Sequence, residues 1–247
     1  MLHYNCTGSG NPLIFLHGFM ENSCIWESFI SPFSKNNMVI TIDLPGHGKS
    51  PIYNEVNTVD FMADKVIEIL EFLNLTSATF IGHSMGGYVC LAIADQYPQF
   101  VNKTILVNST SLPDSEAKKE QRLKVIPTIK RNYPTFVRLS IPLLFAENLE
   151  NEMEQLKQIA LNNPIEGIIS ALRGIKDRAD RTNVFYDVKQ PFLILNGIHD
   201  TTIDFELFES IIPNLDHINI KKLNCAHVAF FEQRENFIDE VKKFIAL

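Results

Sequence analysis

Hydrophobic and polar positions follow two different periods along this chain. Short apolar runs rich in β-branched residues alternate with longer segments whose apolar residues recur every three to four positions. The first pattern predicts β-strands and the second predicts helices. Because the two alternate before residue 110 and again after residue 190, we expect an α/β fold. Its mostly parallel central sheet should have about seven strands and be flanked by helices.

The predicted elements are bounded by polar or turn-forming residues. The strand predictions are Pro12–Leu16, Met38–Asp43, Ala78–Gly82, Lys103–Val107, Pro191–Asn196 and His217–Ile220, with a seventh at Met1–Tyr4. The helix predictions are Val59–Leu73, Met85–Gln96, Phe205–Ile211 and Arg234–Ile245. These helices should turn their apolar residues toward the sheet.

The strand pattern disappears in the middle of the chain, and helical spacing replaces it. Prolines divide this segment at Pro127, Pro134, Pro142 and Pro164. The clearest helix begins at Asn163-Pro164, a suitable N-cap and first-turn pair. We therefore predict an α/β core made of residues 1–110 and 189–247, with a helical cap, or lid, inserted as residues 111–188.

Composition and charge narrow the classes of function. The 247 residues are 45% hydrophobic and 21% charged, which is typical of a chain that buries a core. A net charge of −7 without a basic stripe disfavours nucleic-acid binding. The apolar runs are shorter than the roughly 18 residues of a membrane span, and the start of the chain lacks Lys and Arg, so we expect a cytoplasmic location. Four separated cysteines indicate reduced thiols, with no zinc site and no disulfide framework.

The strongest candidate for chemistry is the run Gly82-His83-Ser84-Met85-Gly86-Gly87. It follows an apolar strand and opens a helix, which is the setting of a nucleophile elbow. A serine on so sharp a turn needs small residues two positions before and after it, and Gly82 and Gly86 supply them. The N–H groups at the start of the helix would face the negative charge that develops during acyl transfer. Ser84 is therefore the candidate nucleophile.

Two further glycine turns follow predicted strands. His17-Gly18-Phe19 would leave backbone N–H groups free to stabilise an oxyanion, although an ordinary β-turn explains the same residues. The other turn ends in Gly48-Lys49-Ser50, which is similar to the end of a phosphate-binding loop. Such a loop needs a glycine five positions before Gly48, where the chain has Asp43, so nucleotide binding is rejected.

The motifs occur in the order found in one large family. The chain resembles an α/β-hydrolase fold protein of the capped, single-domain serine esterase group, through His17 to Phe19, Asp43 to Ser50, Gly82 to Gly87, Gly197 to Asp200 and Ala226-His227. The resemblance covers essentially the whole chain, although the family usually has one more N-terminal strand. It implies a hydrolase acting on ester bonds that needs no metal and no organic cofactor.

The family's chain order of nucleophile, acid and histidine directs the search for the other catalytic groups. Asp200 follows the strand Pro191–Asn196 and is the expected acid. Asp204 is the alternative, although it would cap the helix that begins near Phe205. His227 alone among the histidines follows the last strand in the loop before the final helix, and it is the expected base.

The resemblance also suggests which residues surround the catalytic groups. The backbone N–H groups of Phe19 and Met85 are expected to form the oxyanion hole. His83 is expected beside the substrate pocket, as a scaffold residue that hydrogen-bonds a backbone carbonyl. Most apolar residues of the cap should form its core, while Phe136 and Phe145 should face the pocket. The arginines of the cap, including Arg122 and Arg178, are expected in salt bridges or on its solvated face.

These residues predict a serine hydrolase with a small-molecule substrate, a carboxylic ester or thioester of a small to medium uncharged acyl group. Two alternatives use the same triad, a lyase of the menaquinone-pathway type and a cofactor-free perhydrolase. Against the lyase, Tyr88 stands where that enzyme tends to have Arg. A non-catalytic ligand-binding member of the fold is disfavoured, because all three triad positions are filled. The natural substrate and the oligomeric state stay open.

Overall fold

A computed structural model describes residues 1–246 and builds one sheet of seven strands from them. The strands are β1 (Tyr4–Thr7), β2 (Asn11–Leu16), β3 (Asn37–Ile42), β4 (Ala78–His83), β5 (Val101–Val107), β6 (Phe192–Gly197) and β7 (Ile218–Leu223). Their order across the sheet is β1-β3-β2-β4-β5-β6-β7. Only β1 runs antiparallel to its neighbour in this sheet of residues 4–223. The predicted fold class is therefore confirmed.

Helices follow most of the strands and cover the sheet. They are α1 (Glu27–Ser34), α2 (Val59–Phe72), α3 (Met85–Gln96), α4 (Glu116–Ser140), α5 (Glu150–Leu161), α6 (Ile165–Lys176), α7 (Val184–Asp187), α8 (Phe205–Ile211), α9 (Ala229–Glu232) and α10 (Arg234–Ala246). Short 3-10 turns lie at Ser23–Trp26, Pro98–Phe100 and Ile141–Leu144. No helix within residues 1–246 is both long enough and apolar enough to cross a membrane.

The predicted bounds agree best where an element has strong local signals. The predictions for α3 and α8 match the structure at both ends, and the six main strands are displaced by at most a few residues. The predicted strand Met1–Tyr4 meets β1 only at Tyr4, because β1 continues along β3 as far as Thr7. Helix α1 was not predicted. It is short and contains Pro32, and its two buried residues, Phe29 and Phe33, make too short an apolar stripe.

The prolines of the inserted segment act differently from one another. Helix α4 continues through Pro127 and changes direction at Asn132, whose backbone is non-helical at φ −156° and ψ 75°. The Asn132 side chain accepts a hydrogen bond from the N–H of Thr135 at 3.1 Å and so caps the second half of the helix. Pro134 lies in that first turn, where its missing N–H is not needed. The predicted division is therefore found near Pro134 and not at Pro127.

The inserted segment is tied to the loops that follow β2 and β3 by a polar side chain and by two glycines. Asn163 accepts a hydrogen bond from the N–H of Gly48 at 2.7 Å and donates to the carbonyl of Met20 at 2.8 Å. It therefore does not cap α6 as expected, and Pro164 takes the N-cap position instead. The backbones of Gly46 and Gly167 meet so closely that a Cβ on Gly167 would lie 2.8 Å from the Cα of Gly46. Helix α6 can approach the loop that follows β3 so closely only because both residues are glycine.

The topology brings the loops that follow the strands together. β2, β4, β5, β6 and β7 are parallel neighbours, so their carboxyl ends lie along the same edge of the sheet. Ligands of open α/β sheets bind at this edge. The chain segments that follow those strands contain Phe19, Ser84, Asn108, Asp200 and His227.

We predict that Gly167→Ala lowers the free energy of unfolding by about 1 to 3 kcal/mol, because the added Cβ would strike the backbone of Gly46. The exposed α5 position Gln155 provides the matched control, and Gln155→Ala should change stability by less than about 0.5 kcal/mol. Chemical denaturation measures both variants. Alanine normally stabilises a helix relative to glycine, so a gain in stability from Gly167→Ala would contradict the close approach.

Candidate active site

Ser84 lies on the turn between β4 and α3 with a left-handed backbone, φ 48° and ψ −111°. This conformation is rare for a residue with a side chain and usually occurs where the surrounding structure enforces it. A Cβ on Gly82 would lie 2.5 Å from the carbonyl carbon of Gly86, and one on Gly86 would lie 2.8 Å from the carbonyl oxygen of His17. The two glycines therefore permit the close approach that holds the Ser84 side chain at the edge of the sheet.

His227 links Ser84 to Asp200 through its two ring nitrogens. Its Nε2 lies 2.9 Å from Ser84 Oγ, and its Nδ1 lies 2.8 Å from Asp200 Oδ2. The three side chains come from the loops after β4, β6 and β7, and they are more than nine-tenths buried. Three positions selected along the sequence therefore form one continuous hydrogen-bonded chain.

The carboxylate of Asp200 is held by backbone and side-chain donors. Its Oδ1 accepts hydrogen bonds from the N–H groups of Thr202 at 2.8 Å and Ile203 at 3.1 Å. Its Oδ2 accepts from His227 and from the Asn108 side chain. Burial by itself would raise the pKa of Asp200, but the charge of His227 and these hydrogen bonds hold that pKa below its ordinary value. Asp200 is therefore an anion at neutral pH.

Asn108 is a residue of the site to which the sequence analysis assigned no role. Its Nδ2 donates to Asp200 at 3.0 Å and to the carbonyl of Ala226 at 2.9 Å, and its Oδ1 accepts from the N–H of Ala229 at 3.2 Å. The amide thus joins the acid to the loop that carries His227. The sequence feature that could have identified Asn108 is its place directly after β5, at the edge where the other loops meet.

Asp204, the alternative acid, has a different position. Its Oδ1 accepts a hydrogen bond from the N–H of Leu207 at 3.0 Å, so it caps α8 as expected. Within the described residues, His227 makes its carboxylate contact with Asp200 and none with Asp204. N-capping of α8 is sufficient to explain an acidic residue at position 204.

Phe19 and Met85 both line the cavity that contains Ser84, together with His227. We find no hydrogen-bond acceptor for either N–H group among residues 1–246. Met85 is the first residue of α3, so its N–H also carries the positive end of the helix dipole. Two unpaired donors beside a serine hydroxyl can stabilise an oxyanion.

The cavity beside Ser84 has a volume of about 90 Å³, and the inserted segment supplies part of its wall through Arg122, Leu144 and Ile175. His83 also lines the cavity, and its Nε2 donates to the carbonyl of His227 at 2.9 Å. Both features agree with the expectation for His83.

The two phenylalanines expected in the pocket lie elsewhere. Neither Phe136 nor Phe145 lines the cavity that contains Ser84. Phe145 stacks on Phe231 with a centroid distance of 6.3 Å, and Phe136 is half-buried against the apolar core. The neighbouring Leu144 faces the cavity instead. The expectation for Phe145 failed because the 3-10 turn at Ile141–Leu144 directs successive side chains to different sides. Phe136 lies in the second half of α4, whose direction changes at Asn132. A linear apolar stripe reveals neither feature.

A buried ionic cluster stands beside the cavity. Arg122 and Arg178 both pair with Asp114, and Arg178 Nη1 lies 2.6 Å from the Asp114 carboxylate. Burial would raise the pKa of Asp114, but the two guanidinium groups hold it below its ordinary value. The guanidinium of Arg178 also stacks on Tyr88, 4.1 Å from the ring centroid. The expected salt bridges are present, and in them Arg122 and Arg178 share the carboxylate of Asp114. Arg122 also lines the cavity.

The inserted segment touches the loop that carries His227. The N–H of His227 donates to the carbonyl of Leu144 at 3.0 Å. Glu232 accepts hydrogen bonds from the N–H groups of Ala226 and Ala146, both at 2.7 Å. The carboxylate of Glu232 therefore links the loop that carries His227 to the segment that follows the 3-10 turn.

The thiols near the site are not in a state to act as nucleophiles. Burial, together with nearby carboxylates, raises the pKa of Cys24 to about 11 and that of Cys225 to about 12. Both groups are therefore protonated at neutral pH. This leaves Ser84 as the nucleophile candidate beside His227, in agreement with the sequence reasoning.

Comparisons with known proteins agree with this fold. The sequence profile described as alpha/beta hydrolase fold matches residues 11–138, slightly more than half of the 247 residues. The chain is 27% identical over 252 residues to the pimeloyl-[acyl-carrier protein] methyl ester esterase of Wigglesworthia glossinidia brevipalpis, covering 96% of this chain and 95% of that protein.

Two solved structures extend the comparison. A thermophilic esterase from Thermogutta terrifontis superposes with a TM-score of 0.93 at 28% identity, covering 99% of this chain and 93% of that chain. MenH from S. aureus superposes with a TM-score of 0.85 at 27% identity, covering 100% of this chain and 98% of that chain. Both likenesses extend over nearly the whole chain. The chain belongs to the alpha/beta hydrolase fold family.

Proposed function

We propose that this protein is a serine hydrolase that cleaves a carboxylic ester or thioester of a small acyl group through an acyl-enzyme. The observation that carries the proposal is the hydrogen-bonded chain from Ser84 Oγ to His227 Nε2 at 2.9 Å and from His227 Nδ1 to Asp200 Oδ2 at 2.8 Å. This is the arrangement of nucleophile, base and orienting acid that acyl transfer requires.

In the acylation step, Ser84 Oγ attacks the substrate carbonyl and its proton passes to His227 Nε2. Asp200 accepts a hydrogen bond from Nδ1–H, so the imidazole presents an unprotonated Nε2 to the serine and the resulting imidazolium is stabilised. The N–H groups of Phe19 and Met85 bind the oxyanion, and each such donor typically lowers the barrier by roughly 3 kcal/mol. His227 then gives the proton to the departing alcohol or thiol.

In the deacylation step, His227 Nε2 removes a proton from a water molecule as its oxygen attacks the acyl-enzyme. The second oxyanion occupies the same donors as the first. When it collapses, the bond to Ser84 Oγ breaks and the proton on His227 returns to the serine. The products are the carboxylic acid and the free enzyme, so the atoms balance without any further co-reactant.

The class of enzyme, a hydrolase that acts on ester bonds, is confirmed by the named esterases among the relatives. The identity of the ester is part of our proposal. A cavity of about 90 Å³ is smaller than the roughly 150 Å³ apolar cavity that holds benzene. Its walls combine apolar side chains such as Met20 and Ile175 with polar ones such as Arg122 and Thr202. These dimensions favour a short acyl group over a long one.

We further assign residues 111–188 the role of a cap over Ser84. Supporting observations are the three cap residues in the cavity wall, Arg122, Leu144 and Ile175, and the hydrogen bond from His227 to the carbonyl of Leu144. A cap that touches the catalytic loop excludes water from the developing charge. Because cap residues line the cavity, an acyl group bound there would also contact the cap.

A lyase of the MenH type is the second candidate. MenH from S. aureus covers this chain completely, and the guanidinium of Arg122 in the cavity wall is suited to a carboxylated substrate. Against this candidate, Tyr88 follows the double glycine and packs under Arg178, so it adds no charge to the cavity. The ester hydrolase is therefore the proposal that the cavity supports better, and substrate tests separate the two.

We expect Ser84→Ala and His227→Ala each to lower kcat for short nitrophenyl esters by about 10⁴- to 10⁶-fold, because both side chains act on the transition state. Release of nitrophenol measures the activity, and thermal unfolding confirms that each variant is folded. The exposed serine of α8 provides the matched control, since Ser210→Ala should retain the activity of the wild type. Full activity in folded Ser84→Ala would refute the mechanism.

The acid assignment predicts different effects for two neighbouring aspartates. Asp200→Asn should lower kcat by about 10⁴-fold, since an amide favours the wrong tautomer of His227. Asp204→Asn should change kcat little, because asparagine is an equally good N-cap for α8. Steady-state kinetics of the two variants on one ester provide the comparison. If Asp204→Asn were the more damaging change, Asp200 would not be the acid.

The cavity wall predicts which residue sets the acyl-chain preference. Leu144→Ala should shift the preferred nitrophenyl ester toward longer acyl chains, because truncation adds space beside Ser84. Phe136→Ala is the matched control and should leave the preference unchanged, since Phe136 lies outside the cavity wall. A series of kcat/KM values from acetate upward measures both. A shift in Phe136→Ala without one in Leu144→Ala would show that Phe136 lines the pocket. A wild-type preference for carboxylate-terminated substrates would favour the lyase.

A further inference from the structure

A second histidine and a second carboxylate lie directly beside the catalytic groups. Glu21 Oε2 is 2.9 Å from His83 Nδ1, and both side chains are at least 97% buried. The same oxygen of Glu21 accepts a hydrogen bond from the N–H of Gly18 at 2.5 Å. On the other side, His83 Nε2 lies 2.9 Å from the carbonyl oxygen of His227. One continuous chain of hydrogen bonds thus runs from the turn at Gly18 to the backbone of His227.

The partners of His83 determine its protonation. The carbonyl oxygen of His227 can only accept a hydrogen bond, so it requires a proton on Nε2. Glu21 Oε2 already accepts from Gly18, which favours the ionised carboxylate and requires a proton on His83 Nδ1 as well. Both ring nitrogens therefore donate, which makes His83 an imidazolium and Glu21 its counter-ion.

The charges around the pair agree with this state. Burial would lower the pKa of His83, but the charge of Glu21, its hydrogen bond and the carbonyl of His227 raise the pKa above its ordinary value. Burial would raise the pKa of Glu21, but His83 and the Gly18 N–H hold it below its ordinary value. The other charged or titratable groups that face His83 are His17, Asp200 and His227.

Neither of the nearest other groups replaces Glu21. His17 is neutral, because its Nε2 accepts from the N–H of Leu44 at 2.9 Å and burial lowers its pKa. Asp200 directs its carboxylate to His227, Asn108 and two backbone N–H groups. Within residues 1–246, Glu21 is thus the carboxylate that His83 contacts.

We propose that Glu21 and His83 are positioning residues, which hold the oxyanion turn at a defined distance from the loop of the catalytic base. The inference rests on the proposed function, because Phe19 and His227 have their roles only in acyl transfer. Glu21 fixes the turn through Gly18, next to the donor Phe19, and His83 fixes the carbonyl of His227. Neither side chain makes a hydrogen bond to Ser84 in the part of the chain described.

The pair should affect turnover more than substrate binding. The oxyanion exists in the transition state and not in the bound ester, so a displaced donor lowers kcat and leaves KM nearly unchanged. A displacement of about 1 Å costs on the order of 10²-fold in rate. We therefore expect Glu21→Ala to lower kcat by about 10- to 100-fold, since it removes both hydrogen bonds of the carboxylate.

Glu21→Gln is the conservative variant that separates geometry from charge. With its amide oxygen in the place of Oε2, glutamine can accept from the Gly18 N–H and from the Nδ1–H of His83. It thus keeps the hydrogen-bonded geometry without the negative charge that raises the pKa of His83. We expect Glu21→Gln to recover most of the kcat that Glu21→Ala loses. Rescue of this kind is not expected if Glu21 merely fills space, because glutamine and alanine would then differ only in stability.

The control is another buried carboxylate that binds backbone N–H groups away from Ser84. Asp43 accepts from the N–H groups of Ser23 at 2.7 Å and Lys49 at 2.8 Å. Asp43→Asn should therefore lower the melting temperature while kcat stays within about twofold of the wild type. Equal losses of kcat in Asp43→Asn and Glu21→Ala would mean that Glu21 affects activity only through the stability of the fold. That result would overturn the proposal.

The pair also predicts how stability depends on pH. The lowered pKa of Glu21 contributes stability that is present above its ordinary value of 4.5 and is lost as pH falls through the folded pKa. The raised pKa of His83 contributes stability that is complete below its ordinary value of 6.5 and is lost as pH rises through the folded pKa. The difference in unfolding free energy between the wild type and Glu21→Ala should therefore be largest between pH 4.5 and pH 6.5.

Nitrogen NMR of the ring of His83 completes the test. At pH 6.5, where a free imidazole is half protonated, we expect the wild-type ring to be mostly imidazolium, because the pKa of His83 is raised, and the ring in Glu21→Gln to be less protonated. A wild-type ring that titrates near the free value, or wild-type kcat in Glu21→Ala, would overturn the proposal. Failure of the proposed function would instead appear as an active Ser84→Ala variant, and the NMR result would still decide whether the ion pair exists.

Discussion

The left-handed turn at Ser84 is the constraint on which the rest of the site depends. The backbone of Ser84 is held at φ 48° by the close packing of β4, α3 and β2. These elements leave no room for a Cβ at Gly82 or Gly86. The same turn places the N–H of Met85 at the start of α3 and directs the Ser84 hydroxyl toward His227. The proposed nucleophile and one proposed oxyanion donor, the N–H of Met85, therefore belong to adjacent residues of one turn.

Around this rigid turn, the other groups are held by hydrogen bonds between loops. Asn108 joins Asp200 to the segment that carries His227, and Glu232 joins that segment to the inserted helices. Each of these side chains satisfies backbone groups that would otherwise be buried without a partner, which would cost stability. The loops at the carboxyl edge of the sheet are therefore packed as one polar network, and this explains how residues from four distant segments keep a common geometry.

The inserted helices depend on the sheet for their position. Gly167 permits contact with the backbone of Gly46, and Asn163 binds backbone groups in the loops after β2 and β3. The ionic cluster of Asp114 with Arg122 and Arg178 packs against Tyr88 of α3. Because this segment supplies part of the cavity wall, the shape available to a substrate follows from its docking as much as from the sheet itself.

Local patterns in the sequence determined the element types, the ends of α3 and α8, and the turn at Ser84, because glycine spacing and apolar periodicity act over a few residues. Chain order directed the search to Asp200 and His227. The roles of Asn108 and Asn163, and the choice of Leu144 over Phe136 and Phe145 in the cavity wall, were decided only by tertiary structure. An amide has no preferred partner until a distant backbone approaches it, and an apolar side chain near a kink or a 3-10 turn has no defined direction until its helix is docked.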